Sequence, residues 1–130
     1  MKILGIGVDV IQNKRFKNLI NNKIFIKRTF AENEIKLAKK FTDKKNYFAK
    51  RFAAKEAFAK SLGTGFRRNL NLKDIEILND KIGKPYYFKS KKINDIINKR
   101  FKVKSYNIFL SISDEKKYSI AYVILQKKWK

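Results

Sequence analysis

The stretch RFAAKEAFAKSLGTG, residues Arg51–Gly65, decides the fold. It reads as an alanine-rich helix closed by glycine. Drawn at about 100° per residue, it is not a simple surface helix. Phe48, Phe52, Phe58, Ala59 and Leu62 cluster on one arc, as a core-facing stripe does. Arg51 and Lys55 fall inside that arc, where a charge is costly to bury without a partner. Lys50, Ala54, Ala57 and Ser61 occupy the side expected to face solvent, and a narrow strip of Ala49, Ala53, Glu56 and Lys60 runs beside the apolar arc. The pattern predicts a helix from about Lys44 to Leu62, stopped by the glycines of GTG.

Upstream, KILGIGVDVI (2–11) reads as a buried strand rich in β-branched residues. Leu4, Ile6, Val8 and Val10 should share one face; Gly5, Gly7 and Asp9 should share the other with Ile3 and Ile11. A loop or turn at QNKRF leads into helical FKNLINNKIFIKR, and AENEIKLAKKF (31–41) predicts a further helix. Downstream the period changes. DIEIL (74–78) and PYYFK (85–89) read as strands joined by the turn NDKIGK, and KINDIINKRF reads as a short helix. YNIFLSIS and YSIAYVIL then form a hairpin across DEKK. No repeat or linker interrupts residues 1–130, so one domain is expected, of α+β class with helices packed on an antiparallel sheet.

Composition narrows the chemistry. At 130 residues the chain can bury roughly two-thirds of its unfolded surface, and 44% hydrophobic content excludes a disordered chain. No apolar run is long enough to span a membrane and no signal peptide is evident, so a cytoplasmic protein is expected. Without Cys or His, any metal site must use oxygen ligands, which favours Mg²⁺ or Ca²⁺. The balance of 33 Lys and Arg against 11 Asp and Glu gives +22, a field that attracts polyanions or acidic proteins. AT-rich codon usage could account for much of the lysine.

Two carboxylates stand out. Asp9 interrupts an apolar strand; it either caps the next turn, pairs with an Arg, or uses space that Gly5 and Gly7 clear for a ligand or another chain. Glu56 follows Ala49 and Ala53 on its strip and precedes Lys60, which suits either an exposed i,i+4 pair or a metal ligand. Two isolated carboxylates bordered by small residues fit Mg²⁺ that keeps waters and takes phosphate oxygens. Arg51 and Lys55 either snorkel to solvent or answer a buried multivalent anion or carboxylate.

GIGVDVIQNKRF, YFAKRFAAKEAFAKSLGTG, DIEILNDKIGKPYY and SISDEKKYSIAYVIL, in this order, resemble the bacterial holo-[acyl-carrier-protein] synthase family of small 4′-phosphopantetheinyl transferases. The resemblance implies transfer of 4′-phosphopantetheine from coenzyme A to a serine of apo acyl carrier protein, for fatty acid biosynthesis. It also implies a homotrimer with active sites between subunits. By the same resemblance Asp9 and Glu56 are Mg²⁺ ligands, and Lys60 acts at the phosphates or the catalytic step. Arg15 meets the carrier protein. Arg51 and Lys55 match basic positions of the motif, which serve the coenzyme A site or the subunit interface, and Gly63, Thr64, Gly65, Gly83, Lys84 and Pro85 match segments lining the coenzyme A site. The proton acceptor is left open between Glu56 and a metal-bound water. Two positions depart from the family. Asp114 stands where a His is usual, and Ala31 replaces the Thr or Ser of a capping box, at a cost of ~0.5–2 kcal/mol. A basic nucleic-acid-binding protein, or an inactive family member, is the alternative reading; the first leaves Asp9 and Glu56 unexplained.

Overall fold

The computed structural model describes residues 2–65 and 69–128. Strand β1 (Lys2–Gln12) leads through a 3₁₀ turn (Asn13–Arg15) into the short helices α1 (Phe16–Leu19), α2 (Lys23–Thr29) and α3 (Glu32–Ala38). The long helix α4 (Lys44–Ser61) follows, then strands β2 (Ile77–Asn79) and β3 (Pro85–Tyr87), helix α5 (Lys91–Phe101), and strands β4 (Tyr106–Asp114) and β5 (Tyr118–Lys127). Strands β1, β5 and β4 form one antiparallel sheet in that order, and β2 pairs with β3 in a second. This is the α+β arrangement expected.

Helix α4 starts at Asp43, whose carboxylate accepts from the Asn46 backbone N–H at 3.0 Å. It ends where Gly63 turns to φ +76°. In between it is buried on nearly every side, which is why no single stripe dominates its wheel. The expected solvent side is corrected here: Ala54 and Ala57 are fully buried and Ser61 nearly so. They are small because β1 lies directly on them. A Cβ on Gly5 would sit 1.8 Å from the Ser61 carbonyl oxygen, and one on Gly7 1.8 Å from that of Ala57. The two glycines therefore make room for this chain's own helix rather than for a ligand.

The strand pattern holds from Gly5 onward, with Gly7 and Ile11 buried and Ile6, Val8 and Val10 exposed. A bulge between Ile3 and Gly5 makes Leu4 the extra residue, so Ile3 joins the exposed set instead of the Gly5 face. The strand expected over 74–78 begins later, at Ile77, because Leu72–Asp74 winds into a 3₁₀ turn capped by the Asp74 carboxylate on the Asn71 N–H at 2.9 Å. The strand read over 85–89 ends at Tyr87.

The opposite flank of α4 carries the two misplaced cations, and both turn to one buried carboxylate. Glu34, fully buried, accepts from the Ala31 N–H at 2.8 Å, the Ile77 N–H at 3.1 Å and Lys55 Nζ at 2.6 Å. Lys55 also donates to the Ile75 and Leu72 carbonyls at 2.5 and 3.1 Å. Arg51 approaches the same carboxylate at 3.7 Å, donates to Asn79 Oδ1 at 2.5 Å, and stacks 4.3 Å from the Tyr47 ring centroid. Burial drives the Lys55 pKa down and Glu34 opposes that loss. Ala31 offers no side-chain cap to α3, as its sequence implies, so Glu34 supplies the half of the capping box that remains.

Two outcomes follow. Gly7→Ala forces backbone against backbone and should cost about 3 kcal/mol, read as a lower urea midpoint at unchanged slope; a shift near zero would show that β1 can lift off α4 freely. Lys55→Met leaves Glu34 buried without its ammonium and should cost about 3–5 kcal/mol in the same measurement. A loss under about 1 kcal/mol would rule out the pair as the anchor of this flank.

Candidate functional site

Beyond Gly7 the same face of β1 presents Asp9. Its side chain is 17% exposed, and Lys60 bridges to it, with Nζ 3.2 Å from Oδ1 and 3.0 Å from the Val8 carbonyl oxygen. Glu56 stands one turn earlier than Lys60 on α4 and is half-buried. Burial pushes the Asp9 carboxyl above its usual 3.8, against the opposing pull of Lys60 and Arg15. Glu56 is likewise pushed above 4.5, first by burial and then by the charge on Asp9, with Lys60 and Arg15 opposing. Each carboxylate thus lacks part of its hydration, and Asp9 adds to the cost at Glu56. Lys60 supplies one cation to this pair, and the remaining carboxylate oxygens offer donors for a second.

Arg15, at the end of the 3₁₀ turn, belongs to the same electrostatic neighbourhood. Its guanidinium carbon lies 5.9 Å from the Phe52 ring centroid, one turn before Glu56. The structure therefore brings together Asp9, Glu56, Lys60 and Arg15, which are far apart in sequence. Arg51 and Lys55, expected at the coenzyme or the subunit interface, instead direct their charges inside the protein, to Glu34 and backbone carbonyls. Of the explanations open for those cations, the carboxylate partner is the one present.

An open cleft of about 910 Å³ starts beside Glu56 and runs between α2 and the segment Leu70–Asp74. Ile24, Phe25, Leu70 and Leu72 give it apolar walls, while Asn22, Arg28 and Lys73 add polar ones. Sequence reading missed these three, because one Arg or Lys in so basic a chain carries no signal. Gly63 and Gly65 both adopt positive φ, as does Gly83 in the turn that leads to Lys84 and Pro85. Neither glycine segment lines this cleft. Asp114 ends β4, and its Oδ2 accepts from Asn46 Nδ2 at 3.5 Å.

The donor set suits one kind of metal. Among the described residues no group of three Asp, Glu, His or Cys converges. A cation here would take one oxygen donor from each of Asp9 and Glu56 and complete its shell with water and phosphate. That is the habit of Mg²⁺ rather than of a metal needing a protein cage. Among the described residues no helix is long and apolar enough to cross a membrane.

Comparison with known proteins identifies the family and the fold. Residues 5–123 match the model of the 4′-phosphopantetheinyl transferase superfamily. The chain is 63% identical over 128 residues to the holo-[acyl-carrier-protein] synthase of Pelagibacter ubique, covering 98% of this chain and 100% of that one. It is 46% identical over 126 residues to the protein of the same name in Clostridium tetani, covering 95% and 96%. Its fold superposes on the Neisseria meningitidis holo-[acyl-carrier-protein] synthase with a TM-score of 0.86 at 34% identity, covering 97% and 100%. The Bacillus anthracis holo-(acyl-carrier-protein) synthase, solved in complex with CoA (3′,5′-ADP), gives 0.79 at 34% identity, covering 97% and 98%. From residue 5 to residue 123, through the strand that carries Asp9 and the helix that carries Glu56 and Lys60, the chain belongs to the 4′-phosphopantetheinyl transferase superfamily.

Proposed function

We propose that this chain transfers the 4′-phosphopantetheine arm of coenzyme A to a serine hydroxyl of apo acyl carrier protein, releasing adenosine 3′,5′-bisphosphate. The observation that carries the reading is the half-buried Asp9–Glu56 pair with Lys60 beside it, set in a chain 63% identical to a holo-[acyl-carrier-protein] synthase. In the reaction the serine oxygen bonds to the phosphorus that bears pantetheine. The bond from that phosphorus to the oxygen of the nucleotide's 5′-phosphate breaks, and the nucleotide leaves with the electron pair. Asp9 and Glu56 would hold Mg²⁺, which when bound supplies charge neutralisation at the pyrophosphate. Lys60 offsets charge developing on the leaving group. The serine proton passes to Glu56 or to solvent beside it, since no histidine is present to take it.

The glycine segments Gly63–Gly65 and Gly83–Pro85 line the coenzyme in this proposal, and Arg15 meets the acidic carrier. The assembly is a homotrimer. Its support is the outer face of the main sheet, where Ile6, Val8, Val10, Phe109, Ile120 and Tyr122 are 40–58% exposed. These residues adjoin across the ladder, with Val8 opposite Tyr122 and Val10 opposite Ile120. A contiguous apolar surface of this kind favours burial against another copy.

The direct test incubates the protein with apo carrier protein, coenzyme A and Mg²⁺ and follows the mass of the carrier. No mass gain at any metal or salt concentration would sink the enzyme reading. Glu56→Gln and Asp9→Asn should each abolish transfer. They should also raise the melting temperature of the metal-free protein at neutral pH. The sign follows from linkage: a carboxyl whose folded pKa is raised contributes stability at low pH, and that contribution is lost as pH rises through the folded pKa. Removing the charge removes the penalty, and Mg²⁺ should raise the melting temperature of the wild type but not of either variant. A melting temperature lowered by both substitutions would contradict this account. For the assembly, Val10→Glu should convert a sedimenting trimer into monomers with loss of transfer. A wild-type monomer would refute the trimer.

A further inference from the structure

The inward-facing positions of β1 continue past Ile11 to Asn13, where an apolar residue is the natural choice; Asn13 is nevertheless fully buried. Its polar groups are all engaged. The backbone N–H donates to the Lys117 carbonyl at 2.8 Å, and its own carbonyl accepts from the Phe16 N–H. Nδ2 donates to the carbonyls of Glu115 at 2.9 Å and Lys116 at 3.2 Å, and Oδ1 accepts from Ser119 Oγ at 2.6 Å. A buried amide with its capacity met fixes geometry in a way an apolar side chain does not. These bonds join the 3₁₀ turn after β1 to the turn between β4 and β5, across more than a hundred residues of chain.

The 3₁₀ turn so fixed carries Arg15 at its end. Phe16, the next residue, is 1% exposed, so Arg15 is held from both sides while its own side chain stays exposed over Phe52. An exposed arginine gains little from a partner unless its backbone is already oriented, because ordering a long side chain costs entropy.

We infer that Asn13 is a positioning residue for the transfer reaction: its bonds to the β4–β5 turn hold Arg15 at the angle from which it meets the acidic protein substrate. This rests on the reading of Arg15 as a carrier contact. Asn13→Leu keeps the branched outline of the side chain and deletes its hydrogen bonds. The expected result is a KM for apo carrier protein raised about tenfold, the equivalent of one charge-assisted contact. The KM for coenzyme A and kcat should stay within about twofold. In an Arg15→Ala background Asn13→Leu should add nothing further.

A residue that only supported the fold would lower the apparent kcat in step with the folded fraction and leave both KM values where they are, and that pattern would overturn the inference. So would an unchanged carrier KM, or effects of Asn13→Leu and Arg15→Ala that simply add. An Arg15→Ala variant with normal carrier KM would overturn both the Arg15 reading and this inference; an effect at Arg15 without one at Asn13 would overturn the inference alone. Should Asn13→Leu not fold, Ser119→Ala removes one bond from the other end of the latch. It should raise the carrier KM about threefold, again only when Arg15 is present, and no rise would overturn the inference.

Discussion

The rest of the molecule depends on how closely β1 lies on α4. Gly5 and Gly7 leave no Cβ between the strand and the Ser61 and Ala57 carbonyls, so strand and helix meet backbone to backbone. Asp9 is the next residue on the same face of the strand. At that separation, its short side chain comes within 3.2 Å of Lys60 and close enough to Glu56 to raise its pKa. A strand held off by even one methyl layer would leave the two carboxylates to water separately. The site is thus a consequence of packing before it is a set of functional groups.

The other flank of α4 is fixed by charge. Glu34 gathers two backbone N–H groups, one ammonium and one guanidinium, and through Lys55 it reaches the carbonyls of Leu72 and Ile75. Leu72 lies in the segment Leu70–Asp74 that walls the cleft beside Glu56, and Ile75 follows it directly. Lys55 and Glu56 are neighbours in sequence with opposite tasks, one holding the wall from inside and the other facing the cleft. A helix serving both sides cannot show a single apolar stripe. Its wheel carries cations among phenylalanines because a carboxylate is buried there, and alanines on the apparent solvent side because a strand is.

These features differ in how legible they were. The order of strands and helices, the hairpin at DEKK and the break at GTG could be read from alternation, periodicity and glycine, all of them local signals. Asp9 and Glu56 could be singled out because each is a carboxylate among small or apolar residues. What those small residues accommodate is a long-range question. Gly5 and Gly7 imply that something comes close, and only the packed fold identifies it as Ala57 and Ser61. The wheel likewise implied a carboxylate or an anion near Arg51 and Lys55 but did not point to Glu34. Asn13 gave no signal at all, since its partners lie at the far end of the chain and are mostly backbone carbonyls.

The same distinction bears on the charge of +22. Several of the few acidic side chains are committed within the fold. Glu34 is buried, Asp9 is bridged by Lys60, and Asp74 is paired with Lys92 at 2.6 Å. The surface field is therefore set by lysines that these carboxylates do not neutralise. A field of that kind is diffuse, and it speeds encounter with an acidic partner without selecting one, falling off over about 10 Å at 0.1 M salt. Selection needs charges held in place. In the described fold Lys55 and Arg51 are held but buried, whereas Arg15 is exposed on a turn anchored by Asn13 and Phe16. Diffuse lysine charge attracts without selecting, and in the proposed function it is the anchored arginine beside the carboxylate pair that would set where an acidic carrier comes to rest.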